Sequence, residues 1–520
     1  MLRPRFLGVW RSAVSRASAS RVLSTQSSPP SWELWREAIR TTGESAFLKT
    51  FQLPRDRAAL AHLMRTVATT KERNGDFVPR VVVRSICLSY KTLDFEAKKL
   101  FLLTLARDLH VDADTLKQNL SSCTQNLASV ESRVDDGVVD WKHEQVEKYL
   151  RSIRSLRESL VPLHELLFRH ILSQMDGGML FLVHLRADIR QVLNKMTSSD
   201  NRNDVVVLRA LDQHLQTFLA GWFSVGFLCL ERVTYDHSPG ALLEKIIRYE
   251  AVHPVGTIIE LKRRLGNARR CFAFFHPSIP DEPLVFVHVA LVKELAGSME
   301  YIKEETEHLE HEHDAKAAIF YSISSTQPGL QGVDLGNYLI KQVAKRLQHE
   351  LPNIELFSTL SPIPGFTKWL YQSGFNQLTE EEVACLKRLA PLQSSAATPS
   401  DVLAELLSQP EWYLTDSIVE VVRPILMRLG AYYIYKEKKR GKAFCPVANF
   451  HLRNGAIFER LNWLGDVSPK GLKNSAGLMV NYKYELSQVE ANNEKYLLEN
   501  AISIGVQPRA LFEDSSSGCE

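Results

Sequence analysis

The sequence predicts a multidomain protein: an N-terminal all-α helical bundle followed by an α/β domain with a mixed central sheet. At 520 residues the chain exceeds what one hydrophobic core ordinarily supports. Glycine is unevenly spread, with five between 31 and 220 and nineteen from 221 onward, so tight turns are concentrated in the second part. The apolar period also changes. It steps by three and four in the first part, whereas after residue 222 short β-branched and aromatic runs alternate with helical patterns.

The chain opens on a basic, serine-rich stretch with Arg3, Arg5, Arg11, Arg16 and Arg21 and no acidic residue before Glu33. Residues 1–30 therefore read as a mitochondrial transit peptide. Setting aside those five arginines leaves 58 basic against 60 acidic residues, a formal charge of −2, which gives no general attraction for nucleic acid. The longest nearly uncharged apolar run, Thr217 to Leu230, is too short to cross a bilayer and reads as a buried helix, so no membrane span is expected.

Seven cysteines (Cys87, Cys123, Cys229, Cys271, Cys385, Cys445 and Cys519) lie far apart without a C-x-x-C pair, which suits a reducing compartment rather than a zinc cluster or a disulfide framework. The chain ends Ser517-Gly518-Cys519-Glu520, which is not a peroxisomal targeting tripeptide.

The bundle is placed at residues 34–222. Val146, Tyr149, Leu150, Ile153, Leu156, Leu160, Leu163, Leu167 and Ile171 form one helical stripe that Pro162 kinks or divides. The α/β domain is placed at residues 223–505. Its strands are expected at Cys271–His276, Pro283–Leu291, Ala317–Ser324 and Ile354–Leu360, with an amphipathic helix at Asn337–Leu351. The acidic stretch Glu304–Lys316, with His308, His311 and His313, reads as a solvated loop or helix end, and no metal site is expected. Gln393–Asp401 reads as a linker inside this domain.

Two segments carry chemistry. In Tyr321–Ile340 a strand ends near Ser324, a loop with Gly329 and Gly332 follows, and a helix begins around Val333 to Asn337. Such a turn directs free backbone N–H groups and a helix dipole at an anion, and glycines let the ligand approach the backbone. It lacks the lysine of G-x-x-x-x-G-K-[ST] and is not G-x-G-x-x-G. The second segment, Phe357–Leu370, places Ser361 before Pro362, Pro364 and Gly365, fixing a hydroxyl at a strand end that borders the same crevice. His451 stands among apolar and amide residues with Asn449 and Asn454 close by.

The loop Gln331-Gly332-Val333-Asp334-Leu335-Gly336 resembles the acyl-CoA loop of the GNAT acyltransferases, with Asp334 where that superfamily has glycine. An acid beside a pyrophosphate is electrostatically awkward, so Asp334 is expected to have a partner of its own or a catalytic neighbourhood. The ordered blocks "HPV" (253–255), "LKRR" (261–264), "EPLVFVHVAL" (282–291), the loop, "LSPIPGFTKWL" (360–370), "PVANFHLRNGA" (446–456) and "GLMVNYKY" (477–484) resemble the malonyl-CoA decarboxylase family over the whole second domain.

The resemblance implies a helical oligomerisation domain, giving a tetramer or dimer, joined to a GNAT-like catalytic domain. It implies decarboxylation of malonyl-CoA to acetyl-CoA and CO2 without metal or organic cofactor, regulating the malonyl-CoA level in fatty acid metabolism. It places the CoA loop at Gln331, Gly332, Val333, Asp334, Leu335, Gly336 and Asn337. It makes Ser361 and His451 catalytic, Asp334 the acidic residue of the loop, and Tyr484 rather than Tyr482 the active-site tyrosine. The basic residues Arg263, Arg264, Arg269 and Arg270 and the run Lys436–Lys442 read mostly as solvated surface. Competing readings are an acyltransferase using acyl-CoA on an amine or hydroxyl, and a noncatalytic CoA-binding scaffold.

Overall fold

The structure is a computed structural model that describes residues 32–70, 77–131, 144–197, 200–333, 335–389, 398–409 and 411–513. The expected transit peptide, Cys519 and the C-terminal tripeptide lie outside the described residues. The chain divides into two compact units: one runs to Ser224 and takes in Gln327–Val333, and the other comprises Val225–Thr326 and the chain from Asp334.

In the first unit every regular element among the described residues is helical. Helix starts follow side-chain chemistry: Asp56 and Asp94 accept the N–H groups of Ala59 and Ala97, supplying partners that a first helical turn otherwise lacks. The core is apolar, with Met64, Leu102, Phe168, Leu182, Ile189, Leu208, Leu215 and Leu219 fully buried. Pro162 divides the long stripe rather than kinking it: Glu144–Ser159 stops, and Leu163–Gln174 starts with Pro162 as its N-cap. Val146, Leu167 and Ile171 of that stripe are buried, while Leu150, Ile153 and Leu160 are exposed. The run Thr217–Leu230 is not one buried helix. Helix Arg202–Trp222 ends inside it, and Cys229 already belongs to a strand.

The second unit is built on a mixed sheet. Its strands are β1 (Cys229–Val233), β2 (Arg269–Phe275), β3 (Val285–Val292), β4 (Ala317–Ser325), β5 (Leu356–Thr359), β6 (Ser361–Pro362), β9 (Ile457–Asn462) and β10 (Met479–Lys483), with a small separate hairpin β7 (Lys438–Lys439) and β8 (Lys442–Ala443). The sheet order is β1-β2-β3-β4-β5-β10-β6, with β9 also on β10. All neighbours are antiparallel except β4 and β5, which run parallel from Ala317↔Leu356 to Phe320↔Thr359. β2 and β3 are buried along their whole length, and the sequence predicts them best for that reason: both faces are covered, so the runs are continuously apolar.

Past Phe320 the parallel pair separates. β4 continues with β3 to Ser325, whereas the chain after Thr359 continues as β6 along β10. The crossover between β4 and β5 contains the glycine loop and helix Leu335–Glu350.

Several expectations are corrected here. Thr398–Asp401 is not linker, because Thr398 and Asp401 form a reciprocal capping box that starts helix Pro399–Ser408; residues 390–397 lie outside the described residues. The acidic stretch is a largely exposed helix end, as read from the sequence, with His308 closing helix Met299–His308; only Glu312 departs from that reading, pairing with Arg270 and accepting the Ala268 N–H. Arg264, Arg269 and Arg270 are buried rather than solvated: Arg264 donates to the His253 carbonyl at 2.6 Å, and Arg269 to Thr306 at 2.9 Å. Guanidiniums survive burial when such partners replace water.

Candidate active site

Ser361 sits where β5 and β6 meet the turn to helix Phe366–Gln372. Pro362 and Pro364 restrict the backbone, and Gly365 adopts φ 80° to enter the helix. The Tyr433 hydroxyl donates to the Pro364 carbonyl at 3.0 Å and lies 3.2 Å from the place a Gly365 Cβ would occupy. This packed corner holds Ser361 almost fully buried.

His451 is brought to the same point by helix Pro446–Arg453, where Pro446 fills a first-turn position that needs no N–H donor. Its Nε2 lies 3.2 Å from Ser361 Oγ and its Nδ1 2.8 Å from the Tyr484 hydroxyl. The imidazole also stacks on Tyr482, with ring centroids 4.7 Å apart. The Ser361 hydroxyl donates to Thr359 Oγ1 at 2.9 Å, and the same oxygen accepts the Tyr482 N–H at 3.1 Å. With the Ser361 proton directed at Thr359, Nε2 is the ring nitrogen that donates, and Nδ1 accepts from Tyr484.

Burial sets the protonation state. It pushes the His451 imidazole down to about 3 and raises the Tyr484 phenol well above its ordinary value, so both are neutral at pH 7. Of the two tyrosines named from the sequence, Tyr484 hydrogen-bonds the imidazole and Tyr482 covers its face.

Sequence reasoning assigned nothing to Thr359 or Asn481. The buried Asn481 amide donates to the carbonyls of Thr359 (2.7 Å) and Ala296 (2.9 Å) and accepts from Arg460 and Asn462. It thereby fastens β10, which carries Tyr482, to the strand leading into Ser361. A lone Asn inside an apolar run is the signal that could have found it, since a buried amide persists only when its hydrogen bonds are made.

The glycine loop differs from expectation. The N–H groups of Leu330, Gln331 and Val333 are spent within the turn, on the carbonyls of Gln327, Pro328 and Leu330. Its glycines make room for protein: a Cβ on Gly329 would lie 1.8 Å from the Val183 carbonyl, and one on Gly332 2.7 Å from Gln216 Nε2. The helix starts at Leu335, where Gly336 lets the Phe450 ring come within 2.9 Å of an added Cβ. Phe450 in turn lies edge-on to His451, so the helix start and the imidazole share one neighbourhood. Asp334 and the Asn337 side chain lie outside the described residues.

Residues 226–517 match the family description "Malonyl-CoA decarboxylase C-terminal domain", and residues 129–223 match "Malonyl-CoA decarboxylase N-terminal domain". The mitochondrial malonyl-CoA decarboxylase of Anser anser anser is 46% identical over 353 residues, covering 66% of this chain and 68% of that protein.

The chain belongs to the malonyl-CoA decarboxylase family.

Another family member, the mitochondrial malonyl-CoA decarboxylase of Rattus norvegicus, is 46% identical over 374 residues, covering 70% of this chain and 73% of that one. The crystal structure of malonyl-CoA decarboxylase from Rhodopseudomonas palustris aligns with TM-score 0.67 and 32% identity, covering 88% of this chain and all of that one. The family member from Agrobacterium vitis aligns with TM-score 0.69 and 31% identity, covering 87% of this chain and 98% of that one.

Proposed function

We propose that the chain decarboxylates malonyl-CoA to acetyl-CoA and CO2 at Ser361 and His451. The observation that carries this reading is the buried Ser361–His451–Tyr484 relay in a chain of this family. Loss of CO2 from a malonyl thioester leaves an electron pair that the thioester carbonyl accepts, so the substrate is its own electron sink and the reaction calls on no metal or organic cofactor. The protein must stabilise the enolate oxygen and deliver one proton to carbon.

Ser361 Oγ contacts the malonyl carboxylate or thioester oxygen, turning its proton from Thr359 to the substrate. Bringing an anionic substrate beside the neutral imidazole raises its proton affinity: Nδ1 takes up a proton from solution while the Tyr484 hydroxyl turns from donor to acceptor, and Nε2–H passes to carbon as CO2 departs. Tyr484 fixes the ring's orientation by holding Nδ1. The family resemblance makes Asp334 the acidic residue of the loop Gln331–Asn337, and the CoA diphosphate is assigned to that loop.

The finer fold reading is a GNAT-like domain, supported by the parallel β4–β5 pair that parts just before Ser361. The domain assignment keeps residues 1–30 as a transit peptide to the mitochondrial matrix, 34–222 as a helical oligomerisation domain and 223–505 as catalytic. The relatives' names support the compartment. Exposed Leu120, Leu150, Ile153 and Leu160 support assembly into a dimer or tetramer through the helical part. The role is to lower malonyl-CoA in fatty acid metabolism.

The test is to incubate the purified chain with malonyl-CoA alone. Equal amounts of acetyl-CoA and CO2 are expected. A requirement for an added amine or hydroxyl acceptor would contradict the reading and favour acyl transfer.

A further inference from the structure

The loop expected to hold the CoA diphosphate is carried by the helical unit. Gln327–Val333 belongs to that unit by its contacts, although the chain on both sides belongs to the other. Its anchor is Arg186, on helix Gly178–Lys195, whose side chain is completely buried. One guanidinium nitrogen, Nη1, donates to the carbonyls of Gly329 at 2.7 Å and Gln331 at 2.9 Å. Nε donates to Asp212 at 3.0 Å, and Nη2 to Gln216 Oε1 at 3.3 Å. Gln216 passes the contact on, its Nε2 donating to the Gly332 carbonyl at 3.0 Å, and Arg190 donates to the Gln331 side chain at 2.5 Å.

We infer that Arg186, with Gln216, is a positioning residue for the acyl-CoA diphosphate: it grips the loop's carbonyls from behind and so turns the opposite edge of the loop toward the anion. A trans peptide holds its C=O and N–H on opposite sides. With the Gln331 carbonyl on Arg186, the Gly332 N–H is directed away from the guanidinium. Among the described residues this N–H has no protein acceptor, whereas those of Leu330, Gln331 and Val333 are used within the turn. Charge acts in the same sense. Arg186 and Arg190 face one carboxylate, Asp212, leaving a net positive charge behind the loop that favours an anion in front of it. The close fit of Gly329 on the Val183 carbonyl and of Gly332 on Gln216 explains the glycines by this clamp.

The inference rests on the proposed loop function, and the experiment separates the two. For wild type, Arg186→Gln and Gln216→Ala, kcat/KM is measured with malonyl-CoA and with malonyl-pantetheine, the same thioester without diphosphate or nucleotide. The reported quantity is the ratio of the two. Hydrogen bonds to charged groups set the scale, so both variants should lower the ratio about tenfold or more, through KM for malonyl-CoA. A merely structural role would weaken both substrates alike and leave the ratio at the wild-type value, which would overturn the clamp while sparing the loop reading. A wild-type ratio of one would overturn both. Gln216→Ala keeps the test decisive if Arg186→Gln does not fold, because it buries no unpaired charge.

Discussion

The Tyr484 hydroxyl lies 2.8 Å from Nδ1 of His451, and through it the phenol selects the ring nitrogen that faces Ser361. A residue just past the end of β10 thus determines what a helix residue presents to a third element. Tyr484→Phe removes this partner without changing the packing. A buried nitrogen left unpaired costs about 1–3 kcal/mol, so kcat should fall about tenfold, less than on loss of the imidazole itself. Steady-state kinetics checks this, and an unchanged kcat would show that the ring is oriented by packing on Tyr482 alone.

Acid should destabilise the fold. Burial pushes His451 and His164 to about 3 and His288 to about 4, below the ordinary 6.5. The unfolded chain then binds more protons than the folded one between roughly pH 6.5 and 4, so the stability these neutral rings contribute is complete above 6.5 and lost as pH falls. Each ring adds up to about 1.4 kcal/mol per pH unit to the slope. Urea unfolding from pH 7.5 to 5 measures it, with His164→Leu expected to make the slope shallower. Equal slopes would mean that His164 titrates normally.

Gly455 follows the His451 helix with φ 83°, and a Cβ there would lie 1.9 Å from the Val489 carbonyl. Both the left-handed backbone and the contact penalise alanine, so Gly455→Ala should destabilise by about 2 kcal/mol or more. Thermal unfolding checks this. An unchanged midpoint would contradict the close packing behind the imidazole.

The sequence reveals most where burial is simplest. β2 and β3 are covered on both faces, and their apolar runs announce them. β1 reads Cys-Leu-Glu-Arg-Val and is largely exposed, β6 is two residues long and contains a proline, and β10 interrupts its run with Asn481. None of these has a period that local patterning can detect. The restricted corner at Ser361 was legible because proline and glycine limit the backbone wherever they stand. Its convergence with His451 and Tyr484 was not, since only tertiary pairing of β10 with β5 and β6 creates it. The loop's glycines suggested ligand approach, and only the structure shows Val183 and Gln216, more than a hundred residues earlier, filling that space.

The most direct measurement is the turnover of malonyl-CoA by Ser361→Ala and His451→Gln, with folding confirmed by circular dichroism. Loss of a general acid or its hydroxyl partner should lower kcat by about a hundredfold or more in each. Because the two side chains act as one unit, the double variant should be little worse than either single. Near-wild-type CO2 release by both single variants would contradict the assignment of the reaction to this pair.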